Sequence, residues 1–315
     1  KDAVKTCCSP EDIESAKRVC LKLGIPHHVI DLLKPFKEKI IDPFCAEYQQ
    51  GRTPNPCVDC NKYIKFGSLL EKIKILGAGF IATGHYCIIE KSPDTGLFEV
   101  KKGTDKNKDQ SYVFWRLSQV QLSQMKTPLG KQLKDSIAKE AYKIFPFLRK
   151  KSESQDICFI PGNDYRSFLK MRFKNIKKGN ITDTSGNVIG QHKGYPFYTI
   201  GQRKGLGISH PEPLYVKEII PEENIIVAGE EKDIKSQSLK IKDTNFITGS
   251  PPGKSFNAMV KIRYNFRETP AEIIISSNNT ADIIFSRPQK AVTPGQSAVF
   301  YIGNTLIGGG IIIKS

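Results

Sequence analysis

The spacing of apolar residues changes along this chain from a helical period to an alternating one. In the first segment, Ser9 and Pro10 form a typical helix start, and acidic residues follow at the positive end of the helix dipole. Apolar side chains then recur on one face until Gly24, where the helix is predicted to end. Cys20 lies on that face, so we expect it to be in the core.

Two further helices and two short strands are predicted before residue 85. The helices are expected to end at Gly51 and Gly77, and the strands are expected at 28–32 and 80–83. Strands that alternate with helices predict a mostly parallel sheet, whose ligands bind beyond the carboxyl ends of the strands. Gly84 follows such an end. The apolar faces of the two helices consist of Phe36, Ile40, Ile41, Phe44 and Tyr48, and of Phe66, Leu69, Leu70, Ile73 and Leu76.

After about residue 214, short apolar runs of period two are separated by Pro, Gly, Asn and Asp, which predicts a small β-barrel. Val260, Ile262 and Tyr264 alternate with polar neighbours, so the sequence leaves Tyr264 either in the barrel core or in contact with a ligand. A basic, glycine-rich stretch lies between the two patterns. We therefore predict an α/β domain at 1–150, a central basic domain at 151–212 and a β-barrel at 213–315.

Charge points to a polyanionic partner. The 315 residues carry a formal net charge of +16, and residues 160–205 hold nine Lys or Arg against two Asp. Such a concentration favours a nucleic-acid partner over a merely solvated surface. No stretch approaches the roughly 18 apolar residues of a membrane span, and all eight cysteines precede residue 159. A disulfide-stapled secreted protein would spread its cysteines more evenly, so we expect a reducing cytoplasm and no membrane partner.

Three cysteines carry the candidate chemistry. Cys57 and Cys60 form a Cys-x-x-Cys pair after a Pro-Asn-Pro turn, and Cys158 follows a polar run. The pair alone fits half of a zinc site, a redox dithiol or two ligands of an iron–sulfur cluster. Zinc is disfavoured because no second such pair exists. If Cys158 approaches the pair, two interpretations remain: a persulfide on Cys158 resolved by Cys60, or a [4Fe-4S] cluster on all three thiolates. Both deliver sulfur.

Nine runs in order resemble the tRNA-specific 2-thiouridylases over essentially the whole chain. Each run is weak by itself, but the ordered set is specific. The runs are GRTPNP (51–56), CNK (60–62), IKF (64–66), ATGHY (82–86), NKDQSY (107–112), ICFI (157–160), TIGQRKGLG (199–207), TPGQSAVFY (293–301) and GGG (308–310).

The resemblance implies an adenine nucleotide α-hydrolase-like fold and an ATP- and Mg²⁺-dependent enzyme that thiolates C2 of the wobble uridine of tRNA. It implies a persulfide on Cys158, a nucleophilic Cys60, and a sulfur donor, either a cysteine desulfurase or a persulfide carrier. Gly84 would contact ATP. The target base would be lined by Asn55, Pro56 and Cys57, and other tRNA contacts would come from His85, Lys108, Asp109, Gln110, Arg263, Tyr264 and Gln296.

Two features depart from the family pattern. The family opens with a Ser-Gly-Gly phosphate loop and this chain begins after it, so we expect these 315 residues by themselves to bind ATP poorly. Position 57 is Cys where some members have Asp, which keeps the iron–sulfur alternative open. A non-catalytic RNA-binding protein and another ATP-dependent tRNA modifier, such as a lysidine synthetase, remain alternatives, although neither needs both Cys60 and Cys158. Cys7, Cys8, Cys45 and Cys87 have no predicted role.

Overall fold

The computed structural model describes residues 9–150, 157–160, 162, 164–276 and 279–313. The helix Pro10–Leu23 begins and ends as predicted. The Ser9 hydroxyl accepts from the Asp12 amide at 3.2 Å, and Gly24 adopts φ 67° at the other end. No residue of this helix is buried, so the prediction of a core position for Cys20 is wrong. The helix lies against the turn at 145–147, where the Arg18 guanidinium is 4.1 Å from the Phe147 ring.

Two long helices, 33–49 and 56–75, carry the predicted apolar faces. All five predicted apolar residues of the first helix are buried, and Phe66 and Leu70 of the second are buried as well. Leu76 remains 59% exposed, so the predicted face of the second helix extends too far. Each helix contains a stretch of wide, π-type turns, Lys37–Ile41 and Cys60–Ser68. Such turns often mark functional sites, and here one begins at Cys60.

The strand predicted at 28–32 does not form. A strand needs a hydrogen-bonded neighbour, and the described chain pairs no strand with this segment. Instead, the Asp31 carboxylate accepts from the amide of Leu33 at 2.8 Å, at the start of the 33–49 helix. The second predicted strand does form, as β1 (Ile81–Ala82), which pairs in parallel with β4 (Met125–Lys126). Gly84 follows its carboxyl end, as expected.

The predicted barrel is present. Strands β9 to β14 form a ring in the order β13-β10-β11-β12-β9-β14, and the pairing of β13 with β14 closes it. Val260 and Ile262 point into its core, as the alternation predicted. The hairpin β2–β3, from the first half of the chain, joins this sheet through β14. The strands are β2 Cys87–Lys91, β3 Phe98–Lys102, β9 Lys235–Phe246, β10 Ser255–Lys261, β11 Thr269–Ser276, β12 Thr280–Lys290, β13 Ser297–Ile302 and β14 Thr305–Ile312.

A four-stranded sheet lies between the helices and the barrel, in the order β6-β5-β8-β7. Its last two strands lie on the barrel side of the boundary predicted at 212/213. One hydrophobic cluster joins this sheet to the 33–49 helix and includes Phe159 and Ile160. The strands are β5 Gly179–Thr182, β6 Val188–His192, β7 Tyr215–Ile220 and β8 Ile225–Gly229. The other described α-helices are Gln119–Ser123, Lys134–Ile144 and Tyr165–Arg172, and short 3-10 helices form at Ser111–Phe114, Pro146–Lys150, Tyr195–Phe197 and Glu231–Ile234.

None of the described helices is both long and apolar enough to cross a bilayer.

Candidate functional site

Cys57 lies in the first turn of the 56–75 helix, where its position is fixed by the preceding turn. The Asn55 side chain caps the helix, its oxygen accepting from the Cys57 amide at 3.2 Å. Pro56, the first helical residue, is buried. A proline at this position costs no hydrogen bond, because its missing N–H would have no partner inside the helix. The Pro-Asn-Pro run therefore presents Cys57 at a rigid helix start.

The barrel braces the turn before Cys57. The Thr53 amide donates to Pro294 O at 2.9 Å, and the Gln296 side chain donates to Thr53 O at 2.8 Å. Gly295 has φ +91°, and a Cβ on it would lie 2.9–3.1 Å from the Thr53 backbone. Only glycine allows this close approach. Gln296, predicted to contact tRNA, thus holds the turn before Cys57 in place in this structure.

His85 has both ring nitrogens engaged. Its Nδ1 is 2.7 Å from the Thr83 hydroxyl, and its Nε2 is 3.4 Å from the Lys65 ammonium. The ring packs edge-on against Phe114 with centroids 4.9 Å apart. Burial lowers the pKa of His85 to about 3, and the Lys65 charge adds to that effect. His85 is therefore neutral at physiological pH.

The segment predicted to contact tRNA at 108–110 forms an ordered turn. The Asp109 carboxylate accepts from the amides of Gly103 and Ser111 at 3.0 and 3.1 Å. The Gln110 side-chain oxygen accepts from the Tyr86 amide at 3.0 Å, and the amide of Lys108 donates to Asp105 O at 3.0 Å. These bonds fix the backbone, and they place Asp109 beside the barrel.

Tyr264 lies at the rim of the barrel and is 37% exposed. Its hydroxyl donates to Asp109 O at 3.1 Å, and its ring meets Tyr112 edge-on at 6.0 Å. The Lys261 ammonium lies 5.5 Å from the Tyr264 ring centroid, and burial lowers the pKa of Lys261. Tyr264 therefore does not belong to the barrel core.

Arg263 connects the barrel to the central sheet. Its guanidinium donates to Ile200 O and to Ala291 O, each at 3.0 Å, and also to the Thr293 hydroxyl. Burial lowers the pKa of this guanidinium. The residue predicted to contact tRNA thus makes three hydrogen bonds within the protein, and its role in the structure is to join the two regions.

Close packing around the sulfur raises the pKa of the Cys57 thiol, although part of the side chain is exposed, and the Lys65 ammonium opposes this rise. A negative charge on Cys57 would in turn raise the pKa of Tyr264. Lys65 lies 3.4 Å from His85, Tyr264 contacts Asp109 and Tyr112, and Asn55 caps the turn that carries Cys57. We call this group the Cys57 cluster; it consists of Asn55, Cys57, Lys65, His85, Asp109, Tyr112 and Tyr264.

Cys60 and the two neighbours of Cys158 pack on one hydrophobic cluster. Cys60 is half-buried and packs on the hydrophobic cluster that contains Phe159, the neighbour of Cys158. Ile157, on the other side of Cys158, packs on the same cluster, and Cys158 itself is exposed. The structure therefore places both cysteines along the edge of one hydrophobic cluster.

The three cysteines do not form a ligand set in this conformation. Among the described residues, which include all three, no group of three or more His, Cys, Asp or Glu is arranged to hold a metal ion. An iron–sulfur cluster needs thiolates converging on one point, so the residues present do not fit it. Of the other cysteines, Cys87 is buried and burial raises the pKa of Cys45 to about 11, whereas Cys7 and Cys8 lie outside the described residues.

Gly84 is exposed, two residues after the end of β1. A Cβ on it would meet only the Leu129 side chain, at 3.8 Å. The position is open to a ligand at the carboxyl end of the strand, so its contact with ATP stays a prediction.

Sequence reasoning missed Lys65. In a regular α-helix, a residue eight positions after Cys57 points to a different side, because 3.6 residues complete each turn. The wider turns of Cys60–Ser68 change this register, and Lys65 contacts His85. Lys65 belongs to the IKF run at 64–66, but no sequence pattern predicts the wider helical turns.

Three protein families match successive parts of the chain. They are described as tRNA methyl transferase HUP domain, matching residues 1–162, tRNA methyl transferase PRC-barrel domain, matching 166–230, and aminomethyltransferase beta-barrel domain, matching 236–312. They agree with the observed α/β region, central sheet and closed barrel. A HUP domain implies a nucleotide-binding region and the use of ATP.

Curated relatives are similar over nearly the full chain. The tRNA-specific 2-thiouridylase MnmA 1 of Caldanaerobacter subterraneus is 47% identical over 100% of this chain and 86% of its own length. The tRNA-specific 2-thiouridylase MnmA of Carboxydothermus hydrogenoformans is 45% identical over 98% and 85%, and that of Clostridioides difficile is 43% identical over 98% and 86%. These relatives are named for sulfur transfer, whereas the family descriptions name methyl transfer.

Proposed function

Because this chain belongs to the tRNA-specific 2-thiouridylase family, we propose that it is a tRNA-uridine 2-sulfurtransferase that converts the wobble uridine, position 34, into 2-thiouridine. The observation that carries this proposal is the placement of the three cysteines in two different surroundings. Cys60 and Cys158 border one hydrophobic cluster, and the turn before Cys57 is held rigid by the barrel. An RNA-binding protein without catalytic activity has no use for the two thiols.

The chemistry requires activation of the base and an activated sulfur. The O2 oxygen of uridine attacks the α-phosphorus of ATP and pyrophosphate leaves, so that the oxygen becomes part of a good leaving group. The terminal sulfur of a Cys158 persulfide then attacks C2, and AMP departs with the oxygen. A persulfide suits this step because it is largely ionised at neutral pH.

The sulfur must then be released from the protein. In our proposal the Cys60 thiolate attacks the sulfur atom of Cys158, a Cys60–Cys158 disulfide forms, and the transferred sulfur stays on C2 of the base. Formation of the disulfide supplies the two electrons that reduce the persulfide sulfur, and an external thiol reductant restores the enzyme. This mechanism requires Cys158 and Cys60 to approach each other, and their shared hydrophobic border supports that.

The remaining residues bind the substrates. Asn55, Pro56 and Cys57 would line the target base, and Gly84 would contact ATP, with Mg²⁺ balancing the charge of the phosphates. The 108–110 turn and Tyr264 would contact the anticodon loop, where an exposed ring can stack on an unpaired base. A cysteine desulfurase or persulfide carrier would supply the sulfur, and a reducing cytoplasm is the compartment that we propose for this thiol chemistry.

Mass spectrometry of tRNA nucleosides tests the proposal. Unmodified tRNA would be incubated with ATP, Mg²⁺, a sulfur donor and the protein, both as this chain and as this chain preceded by a family phosphate loop. We expect 2-thiouridine with the extended protein, and none when Cys158 is replaced by Ser. Absence of 2-thiouridine despite measured binding of ATP and tRNA would favour the RNA-binding alternative, and a lysidine-type product would favour the other modifier.

A further inference from the structure

Four basic side chains of the central region form one surface, which we call the basic platform: Arg166, Lys170, Arg203 and Lys204. All four residues are exposed. Arg166 and Lys170 lie one turn apart on the helix Tyr165–Arg172, so they share a face. Both also meet Phe197, since the Arg166 Nε donates to Phe197 O at 3.1 Å and the Lys170 ammonium lies 5.6 Å from the Phe197 ring centroid. The helix therefore presents two cations on the same side.

The loop 201–207 brings the other two cations next to this face. A Cβ built on Gly205 would lie 3.7 and 3.8 Å from the two terminal nitrogens of Arg166. Gly205 is itself exposed and has φ +81°, a conformation that glycine adopts readily. Because Arg203 and Lys204 directly precede Gly205, the loop and the helix contribute to one basic surface.

The loop is held in place before any partner binds. At its start, the Gly201 amide donates to Val216 O at 2.8 Å. In its middle, the Gln202 side chain donates to Lys204 O at 2.9 Å. At its end, Leu206 is buried in the hydrophobic cluster of the central sheet. A binding surface that is already ordered loses less entropy when its partner binds.

The charge of the platform is not neutralised within the described part of the chain. No ion pair there involves any of its four cations, whereas Arg52 pairs with Glu47 and Lys102 pairs with Glu268. Asp164 precedes the platform helix, but its carboxylate caps the helix by accepting from the Ser167 amide at 3.0 Å. Clustered like charges repel one another, and a bound anion removes that cost.

We propose that the basic platform binds phosphates of the tRNA backbone, outside the pocket for the target base. This inference rests on the proposed function and deepens it, because it assigns the sequence-independent part of tRNA binding to named residues. The platform fits RNA better than a protein partner. Interfaces between proteins depend on apolar and aromatic anchors, whereas Leu206, the large apolar side chain of this loop, is buried. Lys and Arg are the usual contacts to a phosphate backbone.

The anchors of the loop connect the platform to both parts of the proposed site. Ile200, which precedes the loop, accepts a hydrogen bond from Arg263, the neighbour of Tyr264 in the Cys57 cluster. Leu206, near the end of the loop, belongs to the hydrophobic cluster that contains Phe159, the neighbour of Cys158. Phosphate contacts at such a place orient the tRNA without reading its bases.

The salt dependence of tRNA binding tests the proposal. Arg203→Gln and Lys204→Gln remove charges from exposed positions, and Lys254→Gln, at an exposed position of the barrel, is the matched control. Fluorescence anisotropy would give Kd for tRNA at several KCl concentrations. Each lost phosphate contact should lower the slope of log Kd against log salt by about 0.7 to 0.9. The double variant should bind about tenfold more weakly at about 50 mM salt, and the control should change Kd less than about twofold.

Two comparisons separate a phosphate contact from other effects. Arg203→Lys keeps the charge and should retain both the affinity and the slope, which excludes damage to the loop. A tRNA with cytidine at position 34 changes only the target base. The double variant should lose the same factor in affinity for the cytidine and the uridine tRNA, because a phosphate contact weakens binding uniformly across sequences.

Three results would overturn the proposal. An unchanged Kd and slope in the double variant would mean that the platform is a solvated surface. A loss restricted to the uridine tRNA would indicate a contact to the base. Unchanged tRNA binding together with slower loading of Cys158 by a cysteine desulfurase would identify the platform as a docking site for an acidic protein. If wild-type protein binds tRNA but makes no 2-thiouridine, the proposed function fails, and the salt slopes still decide whether the platform binds phosphates.

Discussion

The Cys57 cluster and the Cys158 segment, two regions of one proposed reaction, are built very differently. The first is held by elements from three parts of the chain: the 56–75 helix, the 83–85 turn and the rim of the barrel. The second consists of an exposed cysteine between two residues packed on a hydrophobic cluster. The difference indicates a rigid pocket for the base and an accessible carrier for the sulfur.

This division of labour has a physical reason. A base has to be placed accurately against its activating group, and misplacement by about 1 Å can cost about a hundredfold in rate. The sulfur carrier has two partners, the donor and the base, so its thiol must be reachable.

Replacing the carrier thiol should have the largest effect. Cys158→Ser should reduce thiolation of tRNA by at least about 10³-fold, because a hydroxyl cannot hold a persulfide. Binding of tRNA should be unchanged, because the rigid pocket does not depend on Cys158. Rates from nucleoside mass spectrometry and affinities from fluorescence anisotropy give the two quantities. A loss of affinity equal to the loss of rate would contradict the division between pocket and carrier.

Crowding the turn that the barrel braces should destabilise the protein. Gly295 and Gly249 have nearly identical φ values of +91° and +90°, but a Cβ on Gly249 meets nothing within 4 Å. Gly295→Ala should therefore cost about 2 kcal/mol more than Gly249→Ala in free energy of unfolding, since only the first clashes with Thr53. Urea unfolding measures both. Equal costs would show that the turn is free to move away from the barrel.

The Arg263 guanidinium joins the barrel to the central sheet. Its removal should lower the free energy of unfolding slightly less than Gly295→Ala does. Arg263→Met leaves Ile200 O and the Thr293 oxygen without this donor, whereas Ala291 O still accepts from the Thr293 hydroxyl. The variant should therefore lower the free energy of unfolding by about 1.5 kcal/mol. Arg267→Met, at an exposed position nearby, is the control and should change it by less than about 0.5 kcal/mol. If Arg263→Met instead weakens tRNA binding without lowering stability, the tRNA contact implied by the sequence is correct.

The neutral state of His85 predicts a small dependence of stability on pH. Its pKa is about 3 in the folded protein and about 6.5 in the unfolded chain, so the unfolded chain binds the proton first as pH falls. This contribution is fully present above about pH 6.5 and is lost towards pH 3. Between pH 7 and 5, wild type should lose about 1 kcal/mol more than His85→Gln, after allowance for solvent screening.

Urea unfolding of wild type and His85→Gln at the two pH values measures this difference. The other four histidines are common to both proteins, so their titration cancels. Parallel losses in the two proteins would mean that His85 is accessible to protons, and hence that the ring is not enclosed as the structure shows.

Much of the fold could be predicted from the sequence because local signals and packing agree. Ser9 and Gly24 mark the ends of the first helix, and the alternation around Val260 predicts a barrel strand. The strand predicted at 28–32 and the core position predicted for Cys20 failed for the same reason. Each required a neighbouring element of the fold that the described residues do not supply. No described strand pairs with 28–32, and no described sheet covers Cys20. The spacing of apolar residues alone does not show which element of the fold packs beside a segment.

The site was less predictable. The resemblance identified Asn55, His85 and Tyr264, and the structure brings all three to the Cys57 cluster. It did not show that Gln296 and Arg263 brace the protein, because contacts between distant segments leave no local pattern. The contribution of Lys65 depends on wide helical turns, which the sequence does not signal.

The most direct test follows a labelled sulfur atom. Protein extended by the phosphate loop would be loaded with ³⁴S persulfide, freed of donor and mixed with tRNA, ATP and Mg²⁺ for one turnover. We expect ³⁴S in 2-thiouridine and a Cys60–Cys158 disulfide in equal amount. Label that remains on the protein while unlabelled 2-thiouridine appears, or thiolation that persists in Cys158→Ser, would contradict the claim that Cys158 carries the sulfur.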